Sequence, residues 1–418
     1  MSKINTSKMK KIFNLLLLAL LPLGLLAQSM TYDQYIRTVA EKNVSYLAEK
    51  YNVDIAQANL QAAKVFNDPE LSVDYGNNQD WYMYMGQSWE FGLSYDLDLA
   101  GVRRARIRTA RNEKEITEAS VIAYLSNLRF EAAQAWAEAW RLKQSCDVLQ
   151  ANVRDMQQIA ESDSIRLSVG DIGRTDATQS KLEAQALEGE LIALQAEYKN
   201  ALMALSLLCG GEPITAMADD ELPQKTLSYS EEELFRVAEN NRADLKAAEL
   251  SHTLSVNNLR LVKASRAMEM SLSLGYSYNS EVRNEIAPAP KFNGLSVGIA
   301  IPLKFSSLNR GERRAAEHQV TQSQKYYEAS LLQIRTEAAQ ALNAYEAAKV
   351  VLQKYNSNMM TDARQIVESR KIGYQKGDTS LIELLAAQQT YRDVMQAYID
   401  ACSNHFVCYA QLENALGL

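Results

Sequence analysis

The apolar and polar positions of this chain follow two periods, each confined to its own stretches. In 71–76, Leu71, Val73 and Tyr75 alternate with Ser72, Asp74 and Gly76. From 89 to 99, Trp89, Phe91, Leu93, Tyr95, Leu97 and Leu99 alternate with Glu90, Gly92, Ser94, Asp96 and Asp98. The same alternation returns in 268–278 and in 295–303. Period two predicts strands with one apolar and one polar face, over about 70–77, 88–99, 268–279 and 294–304. The remaining stretches predict helices. Segments 102–168 and 306–372 are each 67 residues without an internal proline. At 1.5 Å per residue each would reach about 100 Å as a helix. The shorter segments 31–66 and 175–209 together nearly equal one long helix, as do 231–267 and 379–416. Each short pair can therefore lie antiparallel along a long partner.

The order of elements repeats. Val169-Gly170-Asp171-Ile172-Gly173-Arg174-Thr175-Asp176 is answered by Lys376-Gly377-Asp378-Thr379-Ser380, with Gly-Asp at an offset of 207. Gly101-Val102-Arg103-Arg104-Ala105 is answered by Gly311-Glu312-Arg313-Arg314-Ala315 at an offset of 210. Self-similarity at one spacing predicts a tandem repeat. The units are 28–210 and 230–418, and the connection 211–229 carries Pro213 and Pro223. Each reads helix, strand, strand, very long helix, tip, helix, with tips at about 169–175 and 373–379.

The strands admit two uses. A four-stranded antiparallel sheet can cover a soluble core. Ten-residue strands with Trp and Tyr towards their ends also suit a tilted membrane-spanning barrel with a wet interior. Four strands cannot enclose a lumen, so a barrel requires an oligomer. The polar faces carry Asp74, Glu90, Asp96, Asp98 and Glu269 but no Lys or Arg; such a lumen favours cations. The helices, rich in Ala, Gln and Glu, also fit a solvated coiled coil.

The first 27 residues change the picture of where the chain goes. Lys8, Lys10 and Lys11 precede an apolar run from Ile12 to Leu26, and Ala27 stands before Gln28. This predicts a cleaved secretory signal over 1–27. No cysteine flanks the cleavage point, so no lipid anchor is indicated. Cleavage leaves 40 Lys plus Arg against 51 Asp plus Glu, moving the net charge from -7 to -11. Export and an acidic balance exclude a nucleic-acid role. A mean hydropathy of -0.28 argues against a bundle of membrane-spanning helices.

Cys146, Cys209, Cys402 and Cys408 sit in helical patterns as buried small residues rather than as a disulfide framework. The Cys402-His405-Cys408 series lacks a fourth ligand and predicts ordinary packing, not a metal. The histidines, His252, His318 and His405, are scattered, with no Ser/His/Asp or Cys/His arrangement, so neither catalysis nor a cofactor is expected. Trp136, Trp140 and the Tyr326-Tyr327 pair are expected to pack between helices. They account for little of the excess of 21 Tyr over 8 Phe.

Taken together, the twofold repeat, the Gly-x-Arg-Arg-Ala openings at 101 and 311 and the two tips resemble the TolC-like outer-membrane efflux proteins. The second tip, Gly373-Tyr374-Gln375-Lys376-Gly377, looks like that family's Gly-Tyr-x-x-Gly turn. The resemblance covers essentially all of 30–418. It implies a mainly α homotrimer in the Gram-negative outer membrane, with a twelve-stranded β-barrel in lipid continued by a long periplasmic α-helical barrel. A periplasmic adaptor (membrane fusion) protein and an inner-membrane pump would drive tripartite efflux or type I secretion through it. Val169, Gly170, Asp171, Arg174 and Thr175, with Lys376, Gly377 and Asp378, would be the adaptor-contact tips. Asp176 and Tyr374 match the family's acidic and tyrosine partners in a closed-state latch at the periplasmic gate. Thr379 stands where the family has an arginine, which removes a charge-assisted bond, and Arg174 or Lys376 is the available substitute. Glu383 matches an acid that rings the constriction, whereas Ala386 stands in place of a second acid. The loop 77–88, with Trp81, Tyr82 and Tyr84, would lie outside the cell. The Arg103-Arg104-Arg106-Arg108 run would meet a membrane interface or an acidic collar. The competing class is a secreted periplasmic structural coiled-coil protein without a pore.

Overall fold

Each half of the chain opens on a reciprocal helix cap. Thr31 accepts from the amide of Gln34, whose side chain accepts in return from the Thr31 amide at 3.2 Å. Ser230 and Glu233 repeat this at 3.4 and 3.2 Å. Ser/Thr-x-x-Glu/Gln satisfies two amides that a helix start leaves unpaired. The computed structural model describes residues 29–78, 84–218, 221–223, 226–227, 229–266, 270–302, 310–355 and 359–418. The expected signal over 1–27, Trp81, Tyr82 and Glu269 lie outside the described residues.

In order, the elements are β1 (Ser29–Met30), α1 (Tyr32–Lys42), α2 (Val44–Ala63), β2 (Glu70–Asn77), β3 (Gln87–Leu97), α3 (Val102–Ser168), α4 (Arg174–Leu208), β4 (Ala216–Met217), α5 (Glu231–Asn241), α6 (Ala243–Ser265), β5 (Met270–Asn279), β6 (Phe292–Ala300), α7 (Arg310–Tyr355), α8 (Met359–Lys376) and α9 (Leu381–Leu416). The first helical segment of each half is broken where one helix was expected. At Asn43 the backbone turns extended (φ -60, ψ 117), and the side chain accepts from the Tyr46 amide at 2.9 Å while donating to the Leu208 carbonyl at 3.0 Å. Asn competes well with helical backbone bonding in this way. Arg242, also extended (φ -66, ψ 113), makes the equivalent break and grips Asp244 with Nε at 2.9 Å.

The chain forms two compact units, one from the described residues of 1–47, 125–237 and 337–418, the other from those of 48–124 and 238–336. In the first, Tyr35 and Trp136 are fully buried and stack with ring centroids 5.1 Å apart. Tyr345 is buried beside His405 and Tyr409. All four cysteines are free, and Cys146, Cys209 and Cys408 are buried. Trp140 is buried as expected, but Tyr326 of the second unit is 65% exposed.

The second unit holds a four-stranded antiparallel sheet in the order β2-β3-β5-β6. Its register lines Val73, Phe91, Tyr276 and Leu295 across one face. That face is uncovered: Val73 is 52%, Leu93 46%, Leu274 49% and Val297 67% exposed. A soluble sheet would bury it. The opposite face is built from glycine set against serine. A Cβ at Gly92 would meet Ser72 Oγ at 2.5 Å, one at Gly298 would meet Ser273 Oγ at 2.6 Å, and Gly76, Gly275 and Gly294 repeat the arrangement with Ser88, Ser296 and Ser277.

Candidate functional site: the helix tips and the polar face of the sheet

The two tips are the same backbone device. At the end of α3 the Gly170 amide donates to Leu167 and the Asp171 amide to Arg166, at 3.1 and 2.9 Å; after α8 Gly377 donates to Tyr374 and Asp378 to Gly373 at the same distances. Both glycines have positive φ, +79° and +83°. This is the Schellman stop, whose left-handed residue is normally glycine. The repeated Gly-Asp is therefore a pair of helix terminators. Their neighbours are open to solvent: Val169 is 74% exposed, and Asp171, Arg174, Thr175, Lys376 and Asp378 are also exposed. The second turn is tighter than expected, because α8 continues to Lys376 and α9 begins at Leu381. Gly373 and Tyr374 are thus in the last turns of a helix.

Beneath the tips, Met156 and Ile159 of α3, Leu187 and Leu191 of α4, Tyr374 of α8 and Leu384 of α9 form one apolar cluster. The Tyr374 hydroxyl does not reach Asp176. It donates to Asp163, lying 2.9 Å from both carboxylate oxygens, and Asp163 is fully buried. Arg166 stands alongside, its guanidinium 5.4 Å from the Tyr374 ring centroid, 4.0 Å from Asp163 and 2.6 Å from Asp171. Burial, and then the bond to Asp163, push the Tyr374 hydroxyl well above the ordinary tyrosine value; Asp176 contributes least to that rise. Asp176 itself is an exposed first-turn acid of α4. Neither Asp163 nor Arg166 was singled out by sequence; the available signal was an acid in helical register with Met156 and Ile159.

Thr379 packs across the second turn, where a Cβ on Gly373 would lie 2.3 Å from its Oγ1. Glu383 is the third residue of a capping box: its carboxylate accepts from the Ser380 amide at 3.1 Å, and Arg370 stands 3.9 Å away.

The acids of the sheet divide by role. Asp74 and Glu90 are direct cross-strand partners on the polar face. Asp96 accepts a short hydrogen bond from Ser271. Asp98 lies beyond the end of β3 and caps α3, accepting from the amides of Val102 and Arg103 at 2.8 and 2.9 Å. Its charge is used at a helix N-terminus, where an acid is favourable. The described strand residues contain no Lys or Arg.

A helix–strand–strand–helix unit present twice, with an uncovered apolar sheet face and long polar helices, has the build of an outer-membrane channel subunit. Among the described residues no helix is long and apolar enough to cross a membrane. The chain belongs to the outer membrane efflux protein family, whose model matches residues 36–211 and 234–418, one match to each repeat. It is 22% identical over 393 residues to the cobalt-zinc-cadmium resistance protein CzcC of Cupriavidus metallidurans, covering 94% of this chain and 91% of that protein. It is 19% identical over 315 residues to outer membrane protein TolC of Vibrio cholerae, covering 74% and 72%. Among solved structures, the Campylobacter jejuni CmeC outer membrane channel superposes with a TM-score of 0.77 at 14% identity, covering 92% of this chain and 85% of that one. The chain is an outer-membrane protein with its helical part in the periplasm.

Proposed function

We propose that three copies of this chain form a passive export duct, the outer-membrane component of a tripartite efflux system. The observation that carries the proposal is the sheet. Its apolar face is open along all four strands, and its edges β2 and β6 are unpaired among the described residues. Unpaired edges and an uncovered apolar face are costly in water, and closure with other copies in lipid removes both. A non-porous coiled coil has no use for such a face. Three protomers would supply twelve strands, with the Asp74, Glu90 and Asp96 face inward. A periplasmic adaptor would engage the tips, and an inner-membrane pump would supply the cargo.

The tyrosine latch closes inside the protomer, on Asp163, and Asp176 remains available to a neighbouring copy or to the adaptor. Glu383 caps α9 through one carboxylate oxygen, which leaves the other to face a constriction. Acidic inward residues favour cationic cargo, and the relative named for cobalt, zinc and cadmium resistance points the same way. The experiment is single-channel recording of the purified full chain in planar bilayers. Discrete, cation-selective conductance is expected; recovery of the chain in the soluble periplasmic fraction with no conductance would reject the duct.

A further inference from the structure

The arginine run at the start of α3 is only partly engaged by the rest of the chain. Arg103 is engaged: its guanidinium donates to the Lys64 carbonyl and lies 3.8 Å from the Phe66 ring centroid. Arg104, Arg108 and Arg111 follow at the i, i+4, i+7 spacing of one helix face. All three are exposed, and among the described residues none has an ion pair or side-chain hydrogen bond. The flanks of this part of α3 are already occupied. Ala110 and Ile107 pack on Leu60 and Ala63 of α2, and Asn112 bonds Asn257 of α6. The arginine face is neither flank.

Its position along the strand axis is informative. β3 is 11 residues long. At about 3.3 Å per residue and a tilt near 45°, such a strand spans about 25 Å of apolar band. Leu97 therefore ends at the hydrocarbon boundary, and α3 begins five residues later. From Arg104 to Arg111 the helix rises about 10 Å, so the arginine face runs through one headgroup layer, about 5–8 Å deep, and slightly past it. Arg104 opens on a cleft of about 600 Å³ whose walls include Phe66, Tyr95, Leu97 and Leu99 together with Asp96 and Asp98; both acids are already engaged, Asp96 by Ser271 and Asp98 by the amides of Val102 and Arg103. Phe66 and Leu99 are 64% and 59% exposed. An apolar wall leading to Arg104, with Arg108 and Arg111 continuing the same helix face, suits a molecule with an acyl chain and an anionic phosphate.

We propose that an anionic phospholipid of the periplasmic leaflet binds here, its acyl chain in the cleft along Phe66, Leu97 and Leu99, and its phosphate on Arg104 at the cleft wall and on Arg108 and Arg111 of the same helix face beyond the cleft. Bound there, the lipid fixes the depth of the sheet in the membrane. The site rests on the membrane placement of the sheet proposed above.

The test uses the purified full chain in detergent, with equal amounts of phosphatidylglycerol and phosphatidylcholine of the same acyl chains, read by native mass spectrometry. Wild type should retain phosphatidylglycerol at least fivefold over phosphatidylcholine. The triple variant Arg104→Gln, Arg108→Gln, Arg111→Gln should lose that preference, and the triple Arg→Lys variant should keep most of it. A charge-matched control, Arg154→Gln, Lys181→Gln, Arg364→Gln, should behave as wild type. A hundredfold excess of glycerol phosphate should not displace the lipid; displacement would mean a site for free phosphate only. No preference in wild type, or equal loss in the control, overturns the inference. Bilayer recording on the same sample separates the two readings: conductance without lipid preference sinks this site alone, and absence of conductance sinks the duct.

Discussion

At the scale of single residues, the tip is organised by a buried carboxylate. Asp163 is wholly removed from water and receives the Tyr374 hydroxyl at 2.9 Å. Removing that donor leaves a buried acceptor short of a partner, which costs about 1–3 kcal/mol. Tyr374→Phe should therefore speed hydrogen exchange in 163–176 and 370–383 and lower the urea midpoint, whereas Asp176→Ala should leave both unchanged. Equal effects of the two substitutions would mean that the Asp163 bond is not what holds the tip together. The pH dependence follows from the raised Tyr374 value. The folded state holds its proton more tightly than the unfolded state, so the stabilisation is complete below the unfolded value of 10.0 and is lost as pH rises above it. The midpoint gap between wild type and Tyr374→Phe should stay level from pH 6 to about 9 and shrink beyond about 10.

At the scale of elements, two devices repeat. The first is the Schellman stop. A Cβ at Gly170 or Gly377 meets nothing within 4 Å, so only backbone conformation resists substitution there. Gly170→Ala and Gly377→Ala should each destabilise by about 1–2 kcal/mol in urea unfolding of the full chain, with the two effects similar. A much larger effect at one tip would show that it carries contacts beyond the turn. The second device is the glycine–serine pairing of the polar face. Gly275→Ala would bring its Cβ to 2.4 Å from Ser296 Oγ. It should reduce the heat-resistant folded fraction on gels, and Ser296→Gly in the same chain should restore it; failure of that rescue would mean that the serine is not the obstacle.

At the scale of the whole molecule, the prediction concerns edges. The strand order leaves β2 and β6 as the outer strands, and closure would place β2 of one copy against β6 of the next. Val73→Cys combined in turn with Leu295→Cys, Val297→Cys or Ile299→Cys should give, for at least one pairing, an oxidised trimer on non-reducing gels. Monomer alone across the series, from membrane-extracted protein, would reject closure by these edges. Lipid contact has its own signature. Leu93→Arg on the open face should lower membrane yield, since an arginine near the bilayer midplane of a barrel costs about 2–4 kcal/mol, while Ser94→Arg on the opposite face should not act through lipid.

Local periodicity and turn chemistry made much of this protein legible in its sequence. Strict alternation set the faces of all four strands, because side chains on a strand change sides at every residue. The repeated Gly-Asp marked both tips, because a helix stop needs a left-handed residue whatever surrounds it. The α1–α2 break at Asn43 was equally local but was hidden by the helical pattern around it. What sequence could not supply were choices among partners of equal chemistry. The resemblance named only Asp176 as an acid for Tyr374; within one copy the acid it meets is Asp163, brought there by the seating of α8 against α3. Asp98 continued the strand alternation perfectly, yet the chain turns after Leu97 and its carboxylate goes to the amides of α3. Sequence thus determined the elements and their faces, whose causes lie within a few residues. Tertiary structure alone decided which charge meets which donor, because that depends on distances between segments far apart in sequence, 211 residues in the case of Tyr374 and Asp163.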